Sequence, residues 1–199
     1  MPLNIPNLLT LARIMVIPVF VIVYYLPVPW SALAATVLFI FAGVTDWLDG
    51  YLARRLQQQS PFGAFLDPVA DKLMVATAIV LLVGDDRVQD QVISPILFTV
   101  MAAIIIGREI GVSALREWMG EMGNRASVAV SIVGKVKTVM QMVAVSMLLY
   151  AKPLAGISMA GLGEMLFYVA GALTLWSMIV YLRAAWDDLV RAEQKAGPT

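Results

Sequence analysis

Six long apolar segments constrain this chain more than any other feature of its sequence. A helix needs about 20 residues to cross the hydrocarbon core of a bilayer, and each segment is about that long. Only short polar stretches separate them, and 60% of the 199 residues are hydrophobic, which exceeds the usual share in a soluble domain. The sequence therefore predicts an all-α polytopic membrane protein with six transmembrane helices and a single domain over residues 1–199. The predicted spans are Leu8–Leu26, Trp30–Arg54, Leu66–Gly84, Val92–Leu115, Ser127–Ala151 and Ile157–Leu182.

The distribution of basic residues predicts how these helices are oriented. Cytoplasmic loops of membrane proteins carry an excess of Lys and Arg. If the N-terminus is inside, only Arg87 and Lys152 of the 14 basic residues fall on the outer side. We therefore expect both termini to face the cytoplasm.

A second charge pattern brings polar residues of five helices to one end of the predicted bundle. Helices 1, 3 and 5 carry charge near their starts and helices 2 and 4 near their ends, so alternating helix directions place these charges together. Considered singly, Arg13, Arg55 and Arg183 are interpreted as cations that snorkel at helix ends. The short aspartate side chains cannot do so, and ionised groups inside a membrane are costly. The pattern therefore predicts a polar cavity that opens to the cytoplasm. Its charged residues are Arg13, Asp46, Asp49, Arg54, Asp67, Asp71, Lys72, Arg108, Glu109, Lys135 and Lys137.

Four aspartates in this set have the spacing of a metal site. Asp46 and Asp49 share one helix face, as do Asp67 and Asp71. Four neighbouring carboxylates repel one another unless protons or cations neutralise them. The chain has no Cys and no His, and ligand sets made only of oxygen suit hard cations such as Mg²⁺ or Mn²⁺. Four carboxylates can hold two such ions. Simple Asp–Arg or Asp–Lys pairing within each helix is disfavoured, because the available spacing of five residues is poor for helix pairs.

The same stretch carries a specific motif. Its pattern is D-x2-D-G-x2-A-R-x8-G-x3-D-x3-D, from Asp46 to Asp71, and all eight fixed positions resemble the signature of the CDP-alcohol phosphotransferase family. The segments "NIPNLLTLARIMVIP", "REIGVSALREWM", "GKVKTVMQM" and "LTLWSMIVYL" are similar to the bacterial phosphatidylglycerophosphate synthases within it. The resemblance implies a homodimeric enzyme of the bacterial inner membrane with its active site facing the cytoplasm. It also implies the release of CMP from a CDP-linked lipid by an incoming alcohol.

The resemblance further implies roles for individual residues and two divalent cations, Mg²⁺ or Mn²⁺. The implied metal ligands are Asp46, Asp49, Asp67 and Asp71, and Asp71 is also the implied catalytic base that deprotonates the acceptor hydroxyl. The implied contacts with the CDP-lipid are made by Gly50, Arg54 and Ser60.

The implied substrates are CDP-diacylglycerol and glycerol 3-phosphate, and the acceptor phosphate needs a cationic pocket of its own. Lys135 and Lys137 are two residues apart, so they cannot share a helix face. We expect one to face the cavity and the other the headgroups of membrane lipids. Glu109 could pair with one of the cations. The predicted acceptor-phosphate residues are Arg108, Arg116, Lys135 and Lys137.

Two alternatives remain open at this point. The same chemistry could use another alcohol acceptor, inositol phosphate or serine, because the motif does not select the acceptor. A protein of another class, a divalent-cation transporter, would also need carboxylates, but its site would lie near the bilayer midplane. No nucleic-acid partner is expected. Without His or Cys, a covalent intermediate on a Ser-His or Cys-His pair is excluded, which favours direct in-line attack on phosphorus.

Overall fold

The computed structural model describes residues 5–55, 61–121 and 132–196, apart from some side chains near the helix ends. Within these ranges the helices are joined by short turns, and there is no strand beyond one isolated bridge between Leu154 and Ile157, which confirms the all-α prediction. It forms six long helices and one short one. The helices are α1 (Ile5–Tyr25), α2 (Ser31–Arg55), α3 (Pro61–Val83), α4 (Asp86–Gln89), α5 (Pro95–Glu121), α6 (Ile132–Tyr150) and α7 (Met159–Ala196).

Each predicted span coincides with one long helix, but not all of these helices have an apolar stretch long enough to cross a membrane. Among the described residues, three helical segments are long and apolar enough to cross a membrane: Asn7–Tyr25, Pro95–Leu115 and Met159–Arg183. Helices α2 and α6 contain the shorter apolar stretches Ser31–Asp46 and Val136–Tyr150. The number of crossings therefore stays a prediction.

Several helix boundaries differ from the sequence prediction, and one helix was not predicted. Helix α3 begins at Pro61 rather than Leu66, because proline is well suited to the first turn of a helix. Helix α7 continues to Ala196, since its polar end is rich in Ala, Arg, Glu and Lys, which favour helix. The unpredicted helix α4 begins after Asp85, whose carboxylate accepts a hydrogen bond from Arg87 N and so caps the helix. The first residues of the predicted span Ser127–Ala151 lie outside the described residues.

The helices pack around a core of large apolar side chains. Phe20, Phe39, Phe98 and Phe167 are fully buried there. Helices α6 and α7 form the most extensive pair, followed by α1 with α2 and α5 with α7. Gly163 allows the close approach of α6 and α7, because a Cβ there would lie 3.1 Å from Ala144 O. Many exposed side chains on the outer faces are also apolar, as expected of helices that contact lipid.

Side-chain contacts define two ends of the bundle. Near the start of α1, Arg13 contacts Asp46 near the end of α2, and Lys137 at the start of α6 contacts Glu109 near the end of α5. We call this the charged end. At the opposite end, Tyr24 in the last turns of α1 contacts Asp85, which follows α3. The alternation of helix direction thus brings together charged residues that are far apart in sequence.

Candidate functional site

An ion pair between α1 and α2 forms one part of the charged end. Arg13 is 3% exposed, and its Nη1 donates to Asp46 Oδ1 at 2.5 Å. The interpretation of Arg13 as a snorkelling cation is therefore wrong, because its guanidinium is buried and pairs with the carboxylate of Asp46 on the neighbouring helix. Arg55 and Arg183 are exposed, as that interpretation expected.

Asp71 brings a second carboxylate to the same region from α3. It is partly buried and interacts electrostatically with Asp46, Arg13 and Glu109. The described residues give it no hydrogen bond. Asp46 and Asp71 repel each other, and a cation between neighbouring carboxylates would relieve that repulsion.

These two aspartates fit a divalent-cation site as far as the structure describes it. Both offer carboxylate oxygen, the ligand that Mg²⁺ and Mn²⁺ prefer, and the Asp46 side chain is 39% exposed despite its pairing with Arg13. Within the described part of the chain no three metal-ligating side chains cluster. The side chains of Asp49, Arg54 and Asp67 lie outside the described part of the structure. The surroundings of Gly50 and the whole of Ser60 lie outside it as well. Their predicted roles stay predictions.

A cationic cluster on α5 and α6 forms the other part of the charged end. Glu109 Oε1 accepts from Lys137 Nζ at 2.5 Å and from Arg108 Nη1 at 3.0 Å. Lys137 is 1% exposed and Arg108 is 7% exposed. One carboxylate therefore contacts two buried cations. Cationic side chains held in this way can donate charge-assisted hydrogen bonds to an anion such as a phosphate.

The structure thus brings together two of the four predicted acceptor-phosphate residues, Arg108 and Lys137. Lys137 faces the interior of the bundle. The side chains of Arg116 and Lys135 lie outside the described residues.

Helix α7 contributes two residues that the sequence analysis missed. Ser177 Oγ accepts a hydrogen bond from Arg108 Nη2 at 3.0 Å and donates one to Thr174 O at 2.9 Å. The guanidinium carbon of Arg108 lies 5.8 Å from the ring centroid of Tyr181, within the range of a cation–π interaction. Both residues lie in "LTLWSMIVYL", four positions apart. That helical spacing of polar side chains in an apolar stretch is the signal that could have identified them.

Two buried polar atoms near this cluster have no hydrogen-bond partner in the described structure: Arg108 Nε and Gln141 Oε1. Gln141 lies one helical turn after Lys137 and is 4% exposed. Most buried polar atoms in proteins are hydrogen-bonded, so such exceptions call for an explanation.

Comparison with known proteins gives consistent results over nearly the whole chain. The family model for CDP-alcohol phosphatidyltransferase matches residues 3–179. The chain is 54% identical to the CDP-diacylglycerol–glycerol-3-phosphate 3-phosphatidyltransferase of Escherichia coli (strain K12) over 190 residues, which are 96% of this chain and 99% of the relative. It is also 54% identical to the protein of that name from Pseudomonas fluorescens over 188 residues, 94% of this chain and 92% of the relative.

Proposed function

Because the chain belongs to the CDP-alcohol phosphatidyltransferase family, we propose that it transfers the phosphatidyl group of CDP-diacylglycerol to glycerol 3-phosphate. The products are phosphatidylglycerophosphate, a precursor of anionic phospholipid, and CMP. The observation that carries this proposal is 54% identity over 96% of the chain to a relative named for this reaction. The charged end supports it, since acidic and cationic groups lie together there on different helices.

The reaction is an in-line displacement at the β-phosphorus of CDP-diacylglycerol. The 1-hydroxyl oxygen of glycerol 3-phosphate forms the new P–O bond, the P–O bond to CMP breaks, and the hydroxyl proton passes to a base. Asp71 is the proposed base, because it lies beside Asp46 and the described residues give it no hydrogen bond. Such chemistry depends mainly on positioning and charge neutralisation.

The cationic cluster is the proposed site for the acceptor phosphate. Arg108 and Lys137 carry the charge, and Glu109 holds both side chains from one oxygen. Ser177 fixes the other side of the Arg108 guanidinium from α7. These contacts place the donors before the substrate arrives, which lowers the entropic cost of binding. Arg116 and Lys135 complete the proposed set.

We further propose that Asp46, Asp49, Asp67 and Asp71 hold two divalent cations, Mg²⁺ or Mn²⁺. Bound there, the ions would neutralise the diphosphate and the departing CMP. The proposed contacts with the CDP-lipid are made by Gly50, Arg54 and Ser60.

In the proposed arrangement six helices cross the bacterial inner membrane, the protein is a homodimer, and the charged end faces the cytoplasm. Both residues predicted to be external, Arg87 and Lys152, lie at the opposite end, where they contact Asp85 and Pro29 O. An excess of basic residues at the charged end supports this orientation. A site near the inner interface would be open to the lipid substrate and to the water-soluble acceptor.

An acceptor screen tests the proposed function. Purified protein, CDP-diacylglycerol and Mg²⁺ would be incubated with glycerol 3-phosphate, inositol phosphate or serine, and CMP release measured. We expect release with glycerol 3-phosphate. Serine should be inactive, because it has no phosphate for the cationic cluster. Equal or faster release with inositol phosphate or serine would contradict the proposal, as would no release with any acceptor.

A further inference from the structure

Gln141 is a buried polar residue to which the proposed mechanism gives no task. It follows Lys137 by four residues on α6, so the two side chains share a helix face and lie about 6 Å apart along the axis. Both face the interior, since Lys137 is 1% exposed and Gln141 is 4% exposed. A ligand that reaches the Lys137 ammonium group from the interior is therefore within one turn of the Gln141 amide.

The two atoms without partners in this region are complementary in chemistry. Arg108 Nε is a donor without an acceptor, and Gln141 Oε1 is an acceptor without a donor. They do not bond to each other. A molecule that carries both an anionic oxygen and a hydroxyl group would satisfy both atoms at once.

We propose that Gln141 is a specificity-determining residue that accepts a hydrogen bond from the secondary hydroxyl of the polyol phosphate acceptor. This inference rests on the proposed function. Glycerol 3-phosphate has three polar groups, of which the phosphate is assigned to Arg108 and Lys137 and the reacting hydroxyl to Asp71. The hydroxyl on the middle carbon is the group that remains, and the Gln141 carbonyl, which has no partner among the described residues, lies one helical turn from Lys137.

A purely structural role explains Gln141 poorly. Its neighbours on the buried face of α6 include Ala144, Val145 and Leu148, which pack as apolar side chains do. A buried carbonyl that lacks a donor destabilises the folded protein, and an apolar residue of similar size would remove that cost. If Gln141 only filled space, Gln141→Leu would raise the melting temperature and leave acceptor selectivity unchanged.

The test compares two acceptors that differ only in the secondary hydroxyl: glycerol 3-phosphate and 3-hydroxypropyl phosphate. For the unmodified protein we expect kcat/KM to be about ten-fold lower or more with 3-hydroxypropyl phosphate, the effect typical of one lost hydrogen bond to a buried group. Gln141→Leu should lower kcat/KM for glycerol 3-phosphate and bring the two acceptors within about two-fold of each other. The KM for CDP-diacylglycerol should not change.

Thr174→Val is the matched control. Thr174 is also fully buried and polar, but its hydroxyl donates to Ala170 O of its own helix, so this variant should keep the selectivity of the unmodified protein. Gln141→Met provides a second apolar variant if Gln141→Leu does not fold. Selectivity that persists in the apolar variants overturns the inference, and so does an unmodified protein that uses both acceptors equally. Neither result affects the proposed function, which fails if glycerol 3-phosphate supports no CMP release or if inositol phosphate or serine supports equal or faster release.

Discussion

The two ends of the bundle bury acidic side chains in opposite ways. At the end opposite the charged end, Asp85 accepts hydrogen bonds from Tyr24 Oη at 2.7 Å and from Arg87 Nη2 at 2.7 Å, as well as from Arg87 N. Glu164 there accepts from Ile93 N at 2.9 Å and from Tyr168 Oη at 2.6 Å. At the charged end, Glu109 shares one oxygen between two cations, and the described residues give Asp71 no hydrogen bond.

This difference separates a structural use of buried charge from a functional one. Asp85 joins α1 to the turn after α3, and Glu164 joins α7 to the start of α5, so each carboxylate holds two parts of the bundle together. Their donors satisfy them within the protein, which leaves little for a ligand to gain. The described part of the charged end keeps two buried atoms without hydrogen-bond partners, Arg108 Nε and Gln141 Oε1, as expected of a site prepared for a substrate.

The largest effect is expected at Asp71. Asp71→Asn should lower the rate of CMP release by about 100- to 10,000-fold, the usual cost of removing a general base. Because the described residues give Asp71 no hydrogen bond, the melting temperature should change little. Steady-state kinetics and thermal unfolding in detergent measure the two quantities. The control is Asp90→Asn, because Asp90 is exposed and lies at the end opposite the charged end. Turnover within a few-fold of the unmodified protein would exclude Asp71 as the base.

Two lysines at different ends provide the next comparison. Lys137→Ala should raise the KM for glycerol 3-phosphate by roughly 10- to 100-fold, because charge-assisted hydrogen bonds to phosphate are strong. The KM for CDP-diacylglycerol should rise less. Lys152, which is exposed and donates to Pro29 O, is the matched control, and Lys152→Ala should leave both constants unchanged. Equal effects of the two substitutions would remove the distinction between the ends.

At the opposite end we expect loss of stability without loss of catalysis. Asp85→Asn weakens the hydrogen bonds from Tyr24 and Arg87 and should lower the free energy of unfolding by roughly 1–3 kcal/mol. Thermal unfolding in detergent measures this loss. The activity per folded molecule, measured well below the melting temperature, should remain near that of the unmodified protein. A large fall in kcat in fully folded protein would show that this end takes part in catalysis.

The pH dependence of stability should also follow Asp85. Burial raises its pKa, but hydrogen bonds from Arg87 and Tyr24 and the Arg87 charge lower it more, so the pKa lies below the ordinary carboxyl value. A depressed pKa in the folded state gives stability that is present above the unfolded pKa, about 4, and is lost as pH falls through the folded pKa. Below about pH 4 the melting temperature should therefore fall less in Asp85→Asn than in the unmodified protein. An identical acid dependence would contradict this assignment.

The smallest effect is expected at Ser177. Ser177→Ala removes one neutral acceptor from Arg108 and should raise the KM for glycerol 3-phosphate by about two- to ten-fold. The effect should be specific to the acceptor, because Ser177 contacts Arg108, a proposed ligand of the acceptor phosphate. Thr174→Val, one turn earlier on the same helix, should have no such effect. An increase confined to the KM for CDP-diacylglycerol would contradict the assignment of Ser177 to the acceptor site.

The sequence predicted the features that depend on local pattern. Apolar length identified the six long helices, and helical spacing identified Asp46 and Asp71 as residues that could lie together. The same alternation of helix direction brought Arg108 and Lys137 to the charged end. These inferences succeed because the period of a helix and the direction of successive helices are local properties of the chain.

The sequence did not show which buried faces meet. Arg13 lies 33 positions before Asp46, so spacing does not reveal their pairing, and the sequence alone predicts a snorkelling residue. Gln141 and Ser177 are neutral. Both lie in segments that resemble the family, but within an apolar helix they look like ordinary packing residues. Their significance arises only when neighbouring helices show which polar atoms are satisfied and which are not.

The central claim is that substrates bind at the charged end and not at the opposite end. The chain has no cysteine, so a single introduced thiol reports on one place only. Ser113→Cys places a thiol one turn beyond Glu109, and Ser94→Cys places one at the opposite end, just before α5. Alkylation rates would be measured with and without a CDP analogue, Mg²⁺ and glycerol 3-phosphate. We predict slower alkylation in Ser113→Cys when the substrates are present and an unchanged rate in Ser94→Cys. Protection of Ser94→Cys alone, or equal protection of both, would contradict the claim.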